Sequence, residues 1–143
     1  MKNVYVIDYR NENEFKLKEK GVRKCNMLAY KKLIFDYYPL LREGKFQGEL
    51  IFDDIKSNVK KYELILPTDE IFMKLYGNIT LYYTVYFEKK TIILETLTPE
   101  DILEEAGNNE LTAYKGILVS KSHKELDIFR INLLNSLSRD NNF

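Results

Sequence analysis

The fold of this chain is decided by residues 79–97, which read Ile79-Thr80-Leu81-Tyr82-Tyr83-Thr84-Val85-Tyr86-Phe87-Glu88-Lys89-Lys90-Thr91-Ile92-Ile93-Leu94-Glu95-Thr96-Leu97. Two runs of β-branched and aromatic residues flank a charged segment. Within the first run the side chains can be sorted onto two faces with a period of two, which is the pattern of a β-strand. The charged segment, residues 88–90, is typical of a turn. Residues 79–97 therefore predict a long β-hairpin.

Helical patterns occur before and after this hairpin. A broad apolar stripe predicts a long helix over residues 24–41, and Pro39 should end or kink it near Tyr37 or Tyr38. Ser122 and Glu125 have the spacing of a capping box, and they open an amphipathic stretch that predicts a C-terminal helix over residues 122–138.

Shorter patterns complete the chain. Strands are predicted at residues 4–9, 49–53, 61–66 and 111–119, and short helices follow Thr68 and Thr98. The polar residues 10–23 are interpreted as a loop or a short irregular helix. The order predicts an α+β fold over residues 1–143, a single domain with a mostly antiparallel sheet centred on the hairpin and with helices 24–41 and 122–138 packed on it.

Composition and motifs exclude several classes of protein. The chain has 143 residues, with 22 Lys and Arg against 22 Asp and Glu, so no net charge attracts nucleic acid or a membrane. No uncharged run approaches the about 20 residues of a membrane helix, and the N-terminus reaches Asp8 before a signal-peptide core could form, which predicts a cytoplasmic location. Phosphate-loop, dinucleotide-binding, zinc-protease and serine-hydrolase motifs are missing from the sequence. We therefore expect no catalysis and no bound cofactor or metal.

Tyrosine is the notable excess, with 11 in the chain. If Leu81, Tyr83, Val85 and Phe87 face the helices, then Tyr82, Thr84 and Tyr86 form an aromatic row on the opposite face. Tyrosine is enriched at protein interfaces because it combines a large contact area with a polar tip. This pattern favours a non-catalytic protein that docks on another protein. The alternative is that helices cover both faces and these tyrosines are simply buried.

Two other functions stay open from the sequence. The basic segment 16–32, with Lys18, Arg23 and Lys24, could bind nucleic acid or a nucleotide signal. Asp53 and Asp54, together with Glu88 and Lys90, loosely resemble the carboxylate-and-lysine set of metal-dependent hydrolases and nucleases.

The amino-acid composition predicts a biological setting for the chain. Its Lys-, Asn-, Ile- and Tyr-rich sequence is typical of an AT-rich genome, and a short chain with few motifs would suit a phage or mobile-element accessory protein such as an inhibitor. The acidic residues 100–110 could also face a basic partner. A homodimer through an exposed sheet edge stays open as well.

Overall fold

The computed structural model describes residues 4–108, 111–114 and 117–120. The strands are β1 (Val6–Tyr9), β2 (Glu49–Asp54), β3 (Val59–Ile65), β4 (Thr80–Tyr86), β5 (Thr91–Thr98), β6 (Leu111–Tyr114) and β7 (Ile117–Ser120). Strands β1 to β5 form one sheet in the order β1-β5-β4-β3-β2, and β6 pairs with β7 in a separate antiparallel hairpin. Only the β1–β5 pairing in the large sheet is parallel.

The helices are α1 (Glu12–Cys25), α2 (Met27–Lys31), α3 (Tyr38–Arg42), α4 (Glu70–Tyr76) and α5 (Glu100–Asn108). A π-helical segment, Lys32–Tyr37, joins α2 to α3. Within the part of the chain described, no helix is long and apolar enough to cross a membrane. The predicted α+β class is confirmed, and β4 and β5 form the predicted hairpin near the middle of the sheet. The predicted helix over residues 122–138 lies outside the described residues.

Two expectations from the sequence were wrong. Residues 10–23 are mostly helix: the Asn11 side chain accepts a hydrogen bond from the Glu14 N–H at 3.2 Å and starts α1. The buried side chains of α1 include Phe15, Val22 and Cys25, which lie on one face of the helix. Residues 111–119 were expected to form one strand, and the structure has two short strands there, β6 and β7.

The helix predicted over residues 24–41 is interrupted twice. Asn26 is extended, with φ −153° and ψ 92°, and its side chain caps α2 by accepting from the Ala29 N–H at 3.1 Å. Residues 32–37 are then π-helical, and Pro39 lies at the start of α3. Proline lacks an N–H and crowds the preceding turn, so the wider π-helical turns before it allow the chain to continue as helix.

Helices α1 and α5 pack closely against each other and both contact β5. The contact depends on one glycine from each helix. A Cβ atom on Gly21 would overlap the Leu103 carbonyl oxygen, and a Cβ atom on Gly107 would overlap the Leu17 carbonyl oxygen. Each helix therefore approaches the backbone of the other, which brings the buried side chains of both onto the sheet.

The loop after α3 completes the core beside the helices. The ring of Phe46 contacts the rings of Tyr5, Tyr62 and Phe87, with centroids 5.1, 5.8 and 5.6 Å away. The Tyr83 hydroxyl donates to the Gln47 carbonyl oxygen. This loop leads through Gly48, whose φ of +97° favours glycine, into β2.

Candidate functional site

The alternation of β4 separates the two faces of the sheet. Leu81, Tyr83 and Val85 have no exposed surface and belong to the hydrophobic core with Ile92, Leu94 and Leu97 of β5. Tyr82, Thr84 and Tyr86 must point the other way because successive side chains of a strand alternate. We call this second side the outward face. Tyr82 and Tyr86 are partly exposed there, whereas Thr84 is buried between its neighbours.

A salt-bridged network holds one part of the outward face. The Arg10 guanidinium donates to both carboxylate oxygens of Glu95, at 2.9 Å each, and to the Tyr86 hydroxyl at 3.2 Å. The buried Thr84 hydroxyl donates to the same Glu95 carboxylate. Such two-point pairing between arginine and carboxylate fixes both groups more firmly than a single contact. The network therefore fixes the Tyr86 hydroxyl relative to β5 and to the end of β1.

The position of Glu95 results from a β-bulge. Tyr82 lies opposite Thr96 and Tyr83 lies opposite Leu94, so Glu95 is an extra residue in β5. Partial burial would raise the pKa of the Glu95 carboxyl, but hydrogen bonds from Arg10 and Thr84, with the charges of Arg10 and Lys61, outweigh it and lower the pKa. Glu95 is consequently ionised at neutral pH.

Tyr82 lies opposite Glu63 of β3, and burial first, then the nearby Glu63 carboxylate, raise the pKa of the Tyr82 hydroxyl. Beside it lies an open groove of about 240 Å³, whose lining includes Ile51, Lys61, Tyr82, Thr84 and Glu95. The groove contains two of the three outward residues predicted from the sequence, together with charges of both signs.

Large apolar side chains are exposed around this groove. Strand pairing places three of them on the outward face. Across the sheet, Val6 is in register with Tyr86, Phe52 with Thr84 and Ile65 with Thr80. Their exposed fractions are 66%, 48% and 53%. They lie on β1, β2 and β3, so the exposed apolar surface is distributed across most of the width of the sheet.

The basic segment is not assembled as the sequence suggested. Lys18 is only 5% exposed, and its ammonium group donates to the Thr96 hydroxyl at 3.1 Å and lies 3.6 Å from both Glu100 and Glu104. This lysine fastens α1 to α5 and presents no free charge to a ligand. Part of the acidic cluster at residues 100–110 is used in the same contact.

Other cations of the basic segment remain at the surface. Lys20 and Arg23 are exposed, and no ion pair joins either to a residue that the structure describes. Lys16, four residues before Lys20, lies 3.5 Å from Glu12. Spacings of four and three residues place Lys16, Lys20 and Arg23 on one side of α1. Lys24, the third residue predicted for this site, is half-buried at the end of α1.

The residues of the metal-site alternative do not form a cluster. The Asp54 carboxylate accepts a hydrogen bond from the Ser57 N–H at 3.3 Å and shapes the turn after β2, while Asp53 lies opposite Lys60. Glu88 is exposed in the β4–β5 turn, and the Lys90 ammonium lies 5.3 Å from the centre of the Tyr5 ring. Within residues 4–108, 111–114 and 117–120 there is no group of three or more metal-ligating side chains.

Four charged members of the outward face were missed in the sequence: Arg10, Lys61, Glu63 and Glu95. A signal for Glu95 was present, since the buried residues of β5 are spaced by two from Ile92 to Leu94 and then by three to Leu97. A break of this kind indicates a bulge. Arg10 lies 85 positions from Glu95, and a single sequence gives no indication of that contact.

Comparison of the chain with protein-family models, with curated proteins and with solved structures found no match.

Proposed function

We propose that this protein is a non-catalytic binding protein that docks on another protein through the outward face, with Tyr82 and Tyr86 as the main contact residues and Thr84 beneath them. The observation that supports this most is the position of both tyrosines on one partly exposed face, where Arg10 donates to the Tyr86 hydroxyl and holds that side chain in place. Side chains held before binding lose little conformational freedom when the partner arrives.

The surroundings of the tyrosines indicate what kind of surface would fit. Val6, Phe52 and Ile65 provide exposed apolar area, and Arg10, Lys61, Glu63 and Glu95 provide charges of both signs. Tyrosine, phenylalanine and arginine are enriched in protein interfaces, and the rim of such an interface is polar. A strongly charged polymer would instead require a surface of one sign.

The biological setting that we propose follows the composition. A small protein that works only by covering another protein's surface would suit an inhibitor or accessory protein of a phage or mobile element, acting in the cytoplasm. This setting is supported by the Lys-, Asn-, Ile- and Tyr-rich composition, which is typical of an AT-rich genome, and by the missing catalytic motifs.

The test is capture of the partner from the source cells by the immobilised chain, followed by identification of the captured proteins. Tyr82→Ser with Tyr86→Ser should abolish capture, because the main aromatic contacts are removed. Phe35→Ser is the matched control, since Phe35 is 69% exposed in the π-helical segment and lies outside the outward face. Equal capture by the double variant, with its fold intact by circular dichroism, would contradict the proposal.

A second function is favoured by one observation only, the exposed row of Lys16, Lys20 and Arg23 on α1. If this row binds nucleic acid, Lys20→Glu with Arg23→Glu should abolish binding, and affinity should fall steeply as salt rises. Filter binding at two salt concentrations measures both effects. Affinity that does not change with salt would remove this function.

A further inference from the structure

The two edges of the sheet are protected to different degrees. At the β1 edge, α3 contacts β1, and immediately before the strand the N–H groups of Val4 and Tyr5 both donate to the Arg42 carbonyl oxygen at 2.8 Å. At the other edge, β2 pairs with β3, and no other strand among the described residues pairs with β2. The backbone groups on the outer side of β2 therefore have no strand partner in the described structure, which makes β2 a template for another strand.

The side chains of β2 are unusual for such an edge. Leu50, Ile51 and Phe52 are consecutive, and their exposed fractions are 43%, 49% and 48%. Leu50 lies opposite Tyr62, on the face of the core, and Phe52 lies opposite Lys61, on the outward face, so this edge exposes apolar surface on both faces of the sheet. Ile51 is the extra residue of a bulge between Leu50 and Phe52, and it also lines the groove on the outward face. The β2 edge is thus continuous with the face that carries Tyr82.

Acidic residues flank these apolar positions. Glu49 precedes them, and Asp53 and Asp54 follow. In the existing pairing Glu49 lies opposite Glu63, so the start of β2 has two carboxylates and no cross-strand cation, whereas Asp53 lies opposite Lys60. Directly opposed unlike charges stabilise a strand pair, and like charges destabilise it.

This charge pattern selects among the strands that could be added. If β2 paired with β2 of a second copy, with Ile51 at the two-fold axis, the apolar residues would match but Glu49 would oppose Asp53 at both ends. A foreign strand with Lys or Arg at its ends would instead pair with these carboxylates while its centre covered Leu50, Ile51 and Phe52.

We propose that β2 accepts an extended segment of another protein, apolar at its centre and basic at both ends, as a sixth strand of the sheet. This proposal depends on the proposed function, since it names the part of the docking partner that reaches the sheet edge. Main-chain hydrogen bonds would hold the segment, and the flanking charges would select it.

The test uses two capped peptides, Lys-Lys-Val-Ile-Val-Lys-Lys and Glu-Glu-Val-Ile-Val-Glu-Glu, with affinity measured by fluorescence anisotropy. The basic peptide should bind at least about tenfold more tightly than the acidic one and should slow amide hydrogen exchange in residues 49–54. In the chain with Glu49→Lys and Asp53→Lys, the preference should reverse, and binding of the acidic peptide would show that the variant is folded.

Three results would overturn the proposal: no binding of the basic peptide, equal binding of both peptides, or a dimer of the free chain in light scattering that slows exchange in residues 49–54. The tyrosine variants separate this proposal from the one on which it depends. Tyr82→Ser with Tyr86→Ser should lose partner capture while still binding the basic peptide, so failure of the docking face and failure of the β2 edge give different results.

Discussion

Tyr82 and Tyr83 are consecutive residues of one strand, yet their side chains lie on opposite faces of the sheet. Tyr83 has no exposed surface, stacks on Tyr62 with ring centroids 5.2 Å apart and donates to the Gln47 carbonyl. Tyr82 is partly exposed beside an open groove and lies opposite Glu63 of β3. The position of a tyrosine along the strand therefore decides whether it stabilises the fold or forms a contact surface.

Two cations show the same division. Lys18 is buried against Thr96, Glu100 and Glu104 and joins α1 to α5. The Arg10 side chain is 54% exposed and pairs with Glu95 on the outward face. Loss of a buried cation leaves unpaired charges in the structure, whereas loss of an exposed pair costs little stability. The following changes test these differences, from the largest expected effect to the smallest.

Tyr83→Ala should lower the free energy of unfolding by about 3–5 kcal/mol, because it empties a packed aromatic site. Tyr82→Ala, the adjacent control, should cost about 1 kcal/mol or less, as is usual for a residue outside the core. Urea denaturation of both variants measures the difference. Similar losses of unfolding free energy in the two variants would contradict the placement of Tyr83 in the core and Tyr82 on the outward face.

Gly21→Ala should destabilise the protein by about 1–3 kcal/mol, since the added methyl group meets the Leu103 carbonyl and forces α1 away from α5. Lys20→Ala changes the neighbouring exposed residue and should leave the melting temperature nearly unchanged. Thermal unfolding compares the two. A stabilised Gly21→Ala variant would show that the helices are not in backbone contact.

Lys18→Met keeps the length of the apolar stem but removes the charge that faces Glu100 and Glu104. Since both glutamates are partly exposed, with side-chain fractions of 49% and 37%, the expected loss is about 1–2 kcal/mol, below that of a fully buried pair. Lys16→Met removes an exposed pair with Glu12 and should cost about 0.5 kcal/mol or less. Equal losses in urea denaturation would contradict the buried position of Lys18.

Glu95→Gln should have the smallest effect, below about 1 kcal/mol at neutral pH, because Arg10 is largely solvated. The pKa of the Glu95 carboxyl is lowered in the folded state, so its contribution is present above the unfolded-state pKa of about 4.3 and is lost as pH falls through the lower, folded-state pKa. The difference in melting temperature from wild type should therefore narrow below about pH 4. Glu88→Gln in the exposed turn is the control, and an unchanged difference down to pH 2 would contradict the network.

Local pattern was sufficient to predict the hairpin, the class of the fold and the separation of Tyr82 from Tyr83. It failed for α1, in which most residues are charged and the buried side of the helix is marked by few apolar residues, such as Phe15 and Val22. It also failed where one residue shifts the alternation, as Glu95 does in β5.

Some of the contacts that organise the structure join residues far apart in the chain, and no local pattern encodes such contacts. Arg10 reaches Glu95 across 85 positions, and Lys18 reaches Thr96 across 78. The basic sequence neighbours of Lys18 predict that it belongs to a basic surface. Its burial follows from the glycine contacts that bring α5 over α1, and these appear only once the helices are packed.

The most direct test of the account is the affinity of the captured partner for wild type and for the chain with Tyr82→Ser and Tyr86→Ser, measured by biolayer interferometry. If the outward face is the docking surface, the double variant should bind at least about 30-fold more weakly, which corresponds to the loss of one interface hot spot of about 2 kcal/mol, and Phe35→Ser should bind like wild type. Unchanged affinity in a double variant that unfolds at the wild-type temperature would contradict the account.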